Sequence, residues 1–167
     1  MLRFILATVL LAAALCGCDP VDDPLPLSAI VVADAQLSTL ERAVNAAGLA
    51  EALSGDGPLT LFAPTDAAFA ILFEATEITE ADLLARADLT DVLLRHLSAG
   101  ALASADLTPG RSVPTQGGPL TVVADEDGTL GLDRDGDGVA DARFSITDIE
   151  ASNGVLHKID AVLAAPE

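Results

Sequence analysis

Apolar positions along the chain follow two different rhythms. Leu37, Leu40, Val44 and Ala47 recur at intervals of three and four, which predicts an amphipathic helix with Gly48 at its C-terminal end. Leu59-Thr-Leu-Phe-Ala63 has the look of a short strand closed by Pro64. Thr65 and Asp66 then stand where they can cap a helix whose Phe69, Leu72 and Phe73 share one face. Thr79-Glu-Ala-Asp82 has the form of a capping box ahead of Leu83 and Leu84, with Asp in place of the usual Glu. Leu89, Val92, Leu93, His96 and Leu97 predict one more helix, ended by Gly100.

After Gly110 the segments shorten and turn residues separate them. Stretches 111–115, 120–124, 130–132, 142–147 and 155–163 are expected to be strands. Helices first and strands second predict an α+β domain. No internal repeat follows the N-terminal segment, so one domain accounts for the rest.

The N-terminus follows neither rhythm. Arg3 precedes an apolar run, 4–15, in which only Thr8 is polar, and Leu15-Cys-Gly-Cys18 comes next. The run is short for a membrane span and has the shape of a secretory signal. Leu15 three before Cys18 and Gly17 just before it resemble a bacterial lipobox, in which cleavage precedes a lipidated cysteine. Cys16, with Leu15 in the small-residue position, fits worse. The organisation expected is therefore a signal peptide (1–17), a tether rich in Pro and Asp (18–27), and a globular domain (28–167) anchored to a membrane through Cys18. Asp19, directly after that cysteine, resembles a sorting signal for the inner membrane. A multiply acylated cysteine provides stable anchoring, which a single chain does not.

Composition narrows the function. The chain carries 26 acidic and 8 basic residues, a formal charge of −18, and loss of residues 1–17 removes one of the basic ones. Such a surface repels phosphate backbones, so no nucleic-acid partner is expected. There is no Trp or Tyr to build an aromatic platform for sugars or bases.

Three segments resemble fasciclin (FAS1) domains. Leu59-Thr-Leu-Phe-Ala-Pro-Thr-Asp-Ala-Ala-Phe69 is similar to the first signature block, and Ile149-Glu-Ala-Ser-Asn-Gly-Val-Leu-His-Lys-Ile-Asp-Ala-Val-Leu163 to the second. Leu93-Leu-Arg-His-Leu-Ser-Ala-Gly100 lies between them, where the family has a Tyr-His segment. The resemblance covers residues 28–166 and implies a β-wedge or sandwich of about seven strands with several packed helices. Within the blocks, Phe62 and Phe69 are expected to enter one core from a strand and the helix that follows it, and Asn153-Gly154 to form a turn in which Gly supplies a positive φ. The family's Tyr-His pair is Arg95-His96 here, and its Asp-Ile pair is Asp148-Ile149. By resemblance these four are candidate interaction residues, although the missing aromatic argues against integrin-type binding.

Little else suggests catalysis. His96 and His157 are the only histidines, no nucleophile elbow accompanies them, and the ligands for a zinc site are lacking. Both are expected to be hydrogen-bonded structural residues. Asp22-Asp23 and Asp125-Glu-Asp127 read as solvated acidic faces. Gly55-Asp-Gly57 and Gly117-Gly118 read as turns.

The remaining motif is LDRDGDGVADARF, 132–144. Asp133, Asp135 and Asp137 match positions 1, 3 and 5 of a calcium loop, Gly138 the turn, Val139 the carbonyl at 7 and Asp141 position 9. Position 12 is Phe144, so a missing carboxylate would have to come from Asp125, Glu126 or Asp127. The plain alternative is a hairpin between 130–132 and 142–144. The expectation is a weak, irregular calcium site inserted in a common scaffold.

These features predict a lipid-anchored domain of the bacterial cell envelope, facing the periplasm or the exterior. It would be a non-enzymatic adhesion or interaction module with an envelope or matrix partner. The alternatives are a small-ligand binder or enzyme on the same scaffold, and a purely structural matrix role. A deep polar pocket at His96 would favour the binder or enzyme, and His96 packed among leucines would favour adhesion.

Overall fold

The computed structural model describes residues 24–164. The signal segment, Cys18, Asp19, Asp22 and Asp23 lie outside the described residues. Six α-helices and seven strands are described: α1 (Leu27–Ala33), α2 (Ser38–Ala46), α3 (Ala50–Ser54), β1 (Leu59–Pro64), α4 (Asp66–Thr76), α5 (Glu80–Ala85), α6 (Leu89–Arg95), β2 (Leu97–Ala99), a 3₁₀ turn (Ser104–Asp106), β3 (Ser112–Thr115), β4 (Gly118–Ala124), β5 (Leu130–Asp133), β6 (Ala142–Ala151) and β7 (Gly154–Ile159). The class is α+β, as expected.

The seven strands pair in sequence order, and the sheet closes on itself through β1 and β7. That closing pair is parallel, with Phe62 opposite His157. The other pairs are antiparallel. Closure leaves no unpaired edge on either outer strand, which removes a template for aggregation.

The sheet separates two apolar clusters. One lies between the helices and the outer side of the sheet and includes Leu27, Leu40, Leu61, Ala63, Phe69 and Leu156. The other fills the barrel with Phe62, Val113, Leu120, Val122, Leu132 and Ile159. Phe62 and Phe69 therefore belong to different cores. Side chains alternate across a strand, so Phe62 must face away from Leu61 and Ala63, which meet the helices.

Local signals explain several element ends. Beyond α2, the Gly48 N–H reaches the Asn45 carbonyl at 3.2 Å and the Leu49 N–H the Val44 carbonyl at 3.0 Å. Gly48 at φ +68° supplies the left-handed turn of this Schellman motif. Thr79 and Asp82 form the reciprocal capping box, with bonds of 2.9 and 3.2 Å. Thr65 caps α4 through the Ala68 N–H at 3.4 Å. Asp66 instead caps α2, accepting from the Thr39 N–H and the Ser38 hydroxyl, both at 2.8 Å.

Other boundaries differ from expectation. The helix carrying Leu93 stops at Arg95, and Leu97–Ala99 is strand β2 rather than a last helical turn. The final strand ends at Ile159, not at residue 163. Helices α1 and α3 are new, and Leu27 is fully buried, so the core begins one residue inside the expected tether. Gly154 does not take a positive φ. A Cβ there would lie 1.9 Å from the Leu59 carbonyl oxygen, so glycine is required by the close approach of β7 to β1.

Candidate functional site

The turn between β6 and β7 is a junction as well as a reversal. The Asn153 side chain accepts the Leu27 N–H at 2.9 Å and donates to the Leu53 and Gly55 carbonyls at 2.8 and 3.0 Å. Its own carbonyl accepts the Leu59 N–H at 3.0 Å. One residue thus ties the start of α1 and the end of α3 to the sheet. The Asn-Gly turn signal is visible in the sequence, but this three-way tie is not.

His96 follows the last residue of α6 and is 1% exposed. Its Nδ1 lies 2.8 Å from the Val92 carbonyl, and its Nε2 is 3.0 Å from the Leu163 N–H. A carbonyl only accepts and an amide only donates, so this is the neutral ring protonated on Nδ1. Burial, reinforced by the nearby Arg95 charge, pushes its pKa down to about 4, although the Val92 carbonyl works the other way. A gap of about 10 Å³ lies beside the ring, lined by leucines and Val44. That is too small for a ligand and about the minimum for one water.

His157 has the opposite tautomer. Its Nδ1 accepts the Asp148 N–H at 3.2 Å, and its Nε2 donates to the Leu102 carbonyl at 2.7 Å. Phe62 stacks on it at 5.8 Å between centroids, and Phe144 meets it edge-on at 5.8 Å. Burial lowers its pKa despite the Leu102 carbonyl and the Asp148 charge. Both histidines spend both ring nitrogens on the main chain, which leaves neither available as a general base.

The four residues singled out by resemblance are not one patch. His96 is buried, and Arg95 is half-buried against Gly117, where an added Cβ would strike its side chain. Asp148 is exposed at φ +60°, and its carboxylate receives the Ser104 N–H at 2.7 Å and the Ser104 hydroxyl. These donors hold its carboxyl below the usual carboxylate value. Ile149 packs against the helical core. Asp148 is thus a local cap beside His157, while His96 holds the segment that follows β7, at Leu163.

A buried ion pair, unforeseen in the sequence, closes the helical side. Lys158 is 5% exposed, with its Nζ 2.5 Å from Asp34 and 3.0 Å from the Gln36 side-chain oxygen. Burial opposes the Asp34 charge, but Lys158 and the Gln36 N–H outweigh it and leave the pKa lowered.

The Asp-rich segment is a loop between paired strands, with Leu132 opposite Ala142 and Gly131 opposite Arg143. Asp133 is 2% exposed and accepts the Gly136 and Gly138 N–H groups at 2.7 and 2.9 Å. Burial opposes its charge, yet these amides hold its pKa down. Oxygens of Asp133, Asp135 and Asp141 lie within 4.8 Å of one another. Asp137 is outside that group and binds the Val139 N–H at 2.7 Å. The loop also holds a cation of its own. Arg134 lies 3.8 Å from Asp135 and 3.7 Å from Asp141, and it donates to the Ala164 carbonyl. Asp125 is engaged by Arg143.

A closed α+β sheet with this arrangement has known counterparts. The family model for the fasciclin domain matches residues 35–166. An uncharacterized Synechocystis protein is 39% identical over 135 residues, covering 80% of this chain and 93% of its own. A second Synechocystis protein is 35% identical over 147 residues, covering 87% and 76%. The pig transforming growth factor-beta-induced protein ig-h3 is 31% identical over 139 residues, 82% of this chain but 19% of its own length. A FAS1 domain pair from the insect cell adhesion molecule fasciclin I superposes with a TM-score of 0.70 at 20% identity, over 86% of this chain and 52% of that one. The chain belongs to the fasciclin domain family.

Proposed function

We propose that this fasciclin domain is a non-enzymatic adhesion or interaction module, held outside the cytoplasm of a bacterial cell by a lipidated Cys18. The observation that carries the interaction reading is at His96. Its ring is packed among Leu40, Leu53, Leu61, Leu93 and Leu97, and among the described residues the gap of about 10 Å³ beside it has an apolar lining apart from His96 itself. An open hollow of about 720 Å³ near Asn153 has main chain, Pro and Gly in its walls and Asp56 as its single charged residue, a poor constellation for acid–base work. The description of fasciclin I as a cell adhesion molecule agrees with this reading.

Cross-linking on intact cells, followed by mass spectrometry, tests it. Wild-type protein should capture a reproducible envelope or matrix partner, and Cys18→Ala should release the protein and lose that partner. Equal capture by the two forms would remove the anchor from the account.

The Asp-rich loop is proposed as a weak accessory calcium site. Three carboxylates already converge there, and one more oxygen set is needed to reach the six to eight that calcium prefers. Arg134 stands in the way as a competing cation, which is a further reason to expect weak affinity.

A further inference from the structure

Residues 24–33, PLPLSAIVVA, contain no charge, in a chain where 20% of residues are charged. Helix α1 turns Leu27 and Val31 inward. Its outward side carries Val32 at 61% exposure and Ala33, and Leu25 just before it is 53% exposed. Leu25, Ile30, Ala33 and Ala35 line a shallow apolar hollow whose one charged neighbour, Asp34, is paired with Lys158. A helix on the surface of a water-soluble domain ordinarily shows polar residues on its outer side. This one does not.

The position of the patch identifies what meets it. Only residues 19–23 separate Cys18 from Pro24, and an extended chain of that length reaches at most about 20 Å. The entry point is fixed to the sheet: the Ser152 N–H donates to the Leu25 carbonyl at 3.0 Å, and the Leu27 N–H is held by Asn153. That turn ends β6, a ten-residue strand that begins just after the Asp-rich loop. The apolar patch and the loop therefore occupy opposite ends of the strand, which irregularities opposite β7 shorten to roughly 20–25 Å at 3.3 Å per residue.

We infer that the outward face of α1, together with Leu25, rests on the surface of a zwitterionic lipid bilayer, so that the Asp-rich loop points away from the membrane. This rests on lipidation of Cys18. The anchor confines the patch to the interface, where a tethered contact is favoured by effective concentration. Exposed Leu and Val side chains gain by leaving water at the headgroup boundary. Glu41 beside Val32 and Asp56 near Pro26 border the face and oppose anionic headgroups.

The test uses the full lipidated chain on phosphatidylcholine vesicles containing nitroxide-labelled lipid. A fluorophore is attached at Val32→Cys or at Val139→Cys; Val139, 61% exposed, lies in the distal loop. The label at 32 should be quenched several-fold more than the label at 139, and phosphatidylglycerol in the vesicles should narrow the difference. Co-flotation with equal quenching at the two positions overturns the orientation and leaves the anchor standing. Failure to co-float overturns both. Shielding of the label at 32 from an aqueous quencher in the vesicle-free Cys18→Ala chain would show a second copy covering the face, which also overturns the proposal.

Discussion

The carboxylate of Asp66, the first residue of α4, caps a different helix: it accepts the Thr39 N–H at 2.8 Å at the start of α2. The Ser38 hydroxyl adds a second bond of 2.8 Å to the same side chain. Burial opposes ionisation of Asp66, but these donors outweigh it and keep the pKa low. One residue of the first signature block therefore links two helices over the sheet.

Replacing Asp66 with Ala should cost about 1–2 kcal/mol, the usual worth of a helix N-cap. Asp66→Asn keeps a short acceptor and should cost less. Urea unfolding is the measurement, with the midpoint falling and the slope unchanged. Equal stability of Ala and wild type would show that the inter-helix cap contributes nothing.

His96 predicts a pH dependence with a definite sign. Its folded pKa, about 4, lies below the ordinary histidine value of 6.5. The unfolded chain therefore binds the proton more readily. The contribution is present in full above pH 6.5 and is lost as pH falls towards 4. Its size is about 3 kcal/mol, from roughly 1.4 kcal/mol per pH unit. His157 shifts in the same direction, so its contribution too is lost as pH falls below 6.5. The lowered carboxylates lose their contributions mainly below pH 4, so the two regions separate. His96→Gln should be less stable than wild type at pH 7 and show a flatter stability profile between pH 7 and 4. Parallel profiles for the two proteins would contradict the assignment.

How much of this was legible in the sequence depends on the range of the interaction. The capping box of Thr79 and Asp82 and the glycine beyond α2 are local, and the residues alone specify them. The end of α6 is not local. Leu97 continues the helical spacing, but Phe62 donates its N–H to the His96 carbonyl and Leu97 pairs with Leu61, so the sheet claims the chain. Tertiary hydrogen bonding overrides a repeat that is short. The same holds for Phe62 and Phe69, whose separation depends on which side of β1 faces the helices. For the Asp-rich loop, spacing located it between two strands. The seating of Arg134 among the carboxylates is a matter of side-chain direction, which spacing does not encode.

Two glycines should respond differently to alanine. At Gly154 a Cβ meets the Leu59 main chain at 1.9 Å, so Ala must separate β7 from β1. A loss of about 3 kcal/mol is expected, at the upper end of overpacking penalties. At Gly48 there is open space, and only the positive φ resists a side chain, costing about 1 kcal/mol. Thermal melts of the two variants should therefore rank Gly154→Ala well below Gly48→Ala.

Calcium binding can be separated from loop folding by which aspartate is changed. Asp133 is buried and holds two loop amides, so Asp133→Asn should lower the melting temperature even without calcium. Asp135 is exposed, and its one main-chain bond, to the Asp137 N–H, is long at 3.3 Å. Asp135→Asn should leave the calcium-free melt nearly unchanged and reduce any calcium-induced rise. Arg134→Gln removes the competing cation and should enlarge that rise, at some cost from the lost Ala164 contact. A ligand at ten times its Kd stabilises by about 1.4 kcal/mol, enough to read in a melt at millimolar calcium. If wild type and Arg134→Gln both melt at the same temperature with and without calcium, the loop is held by Arg134 and its own amides and takes no ion.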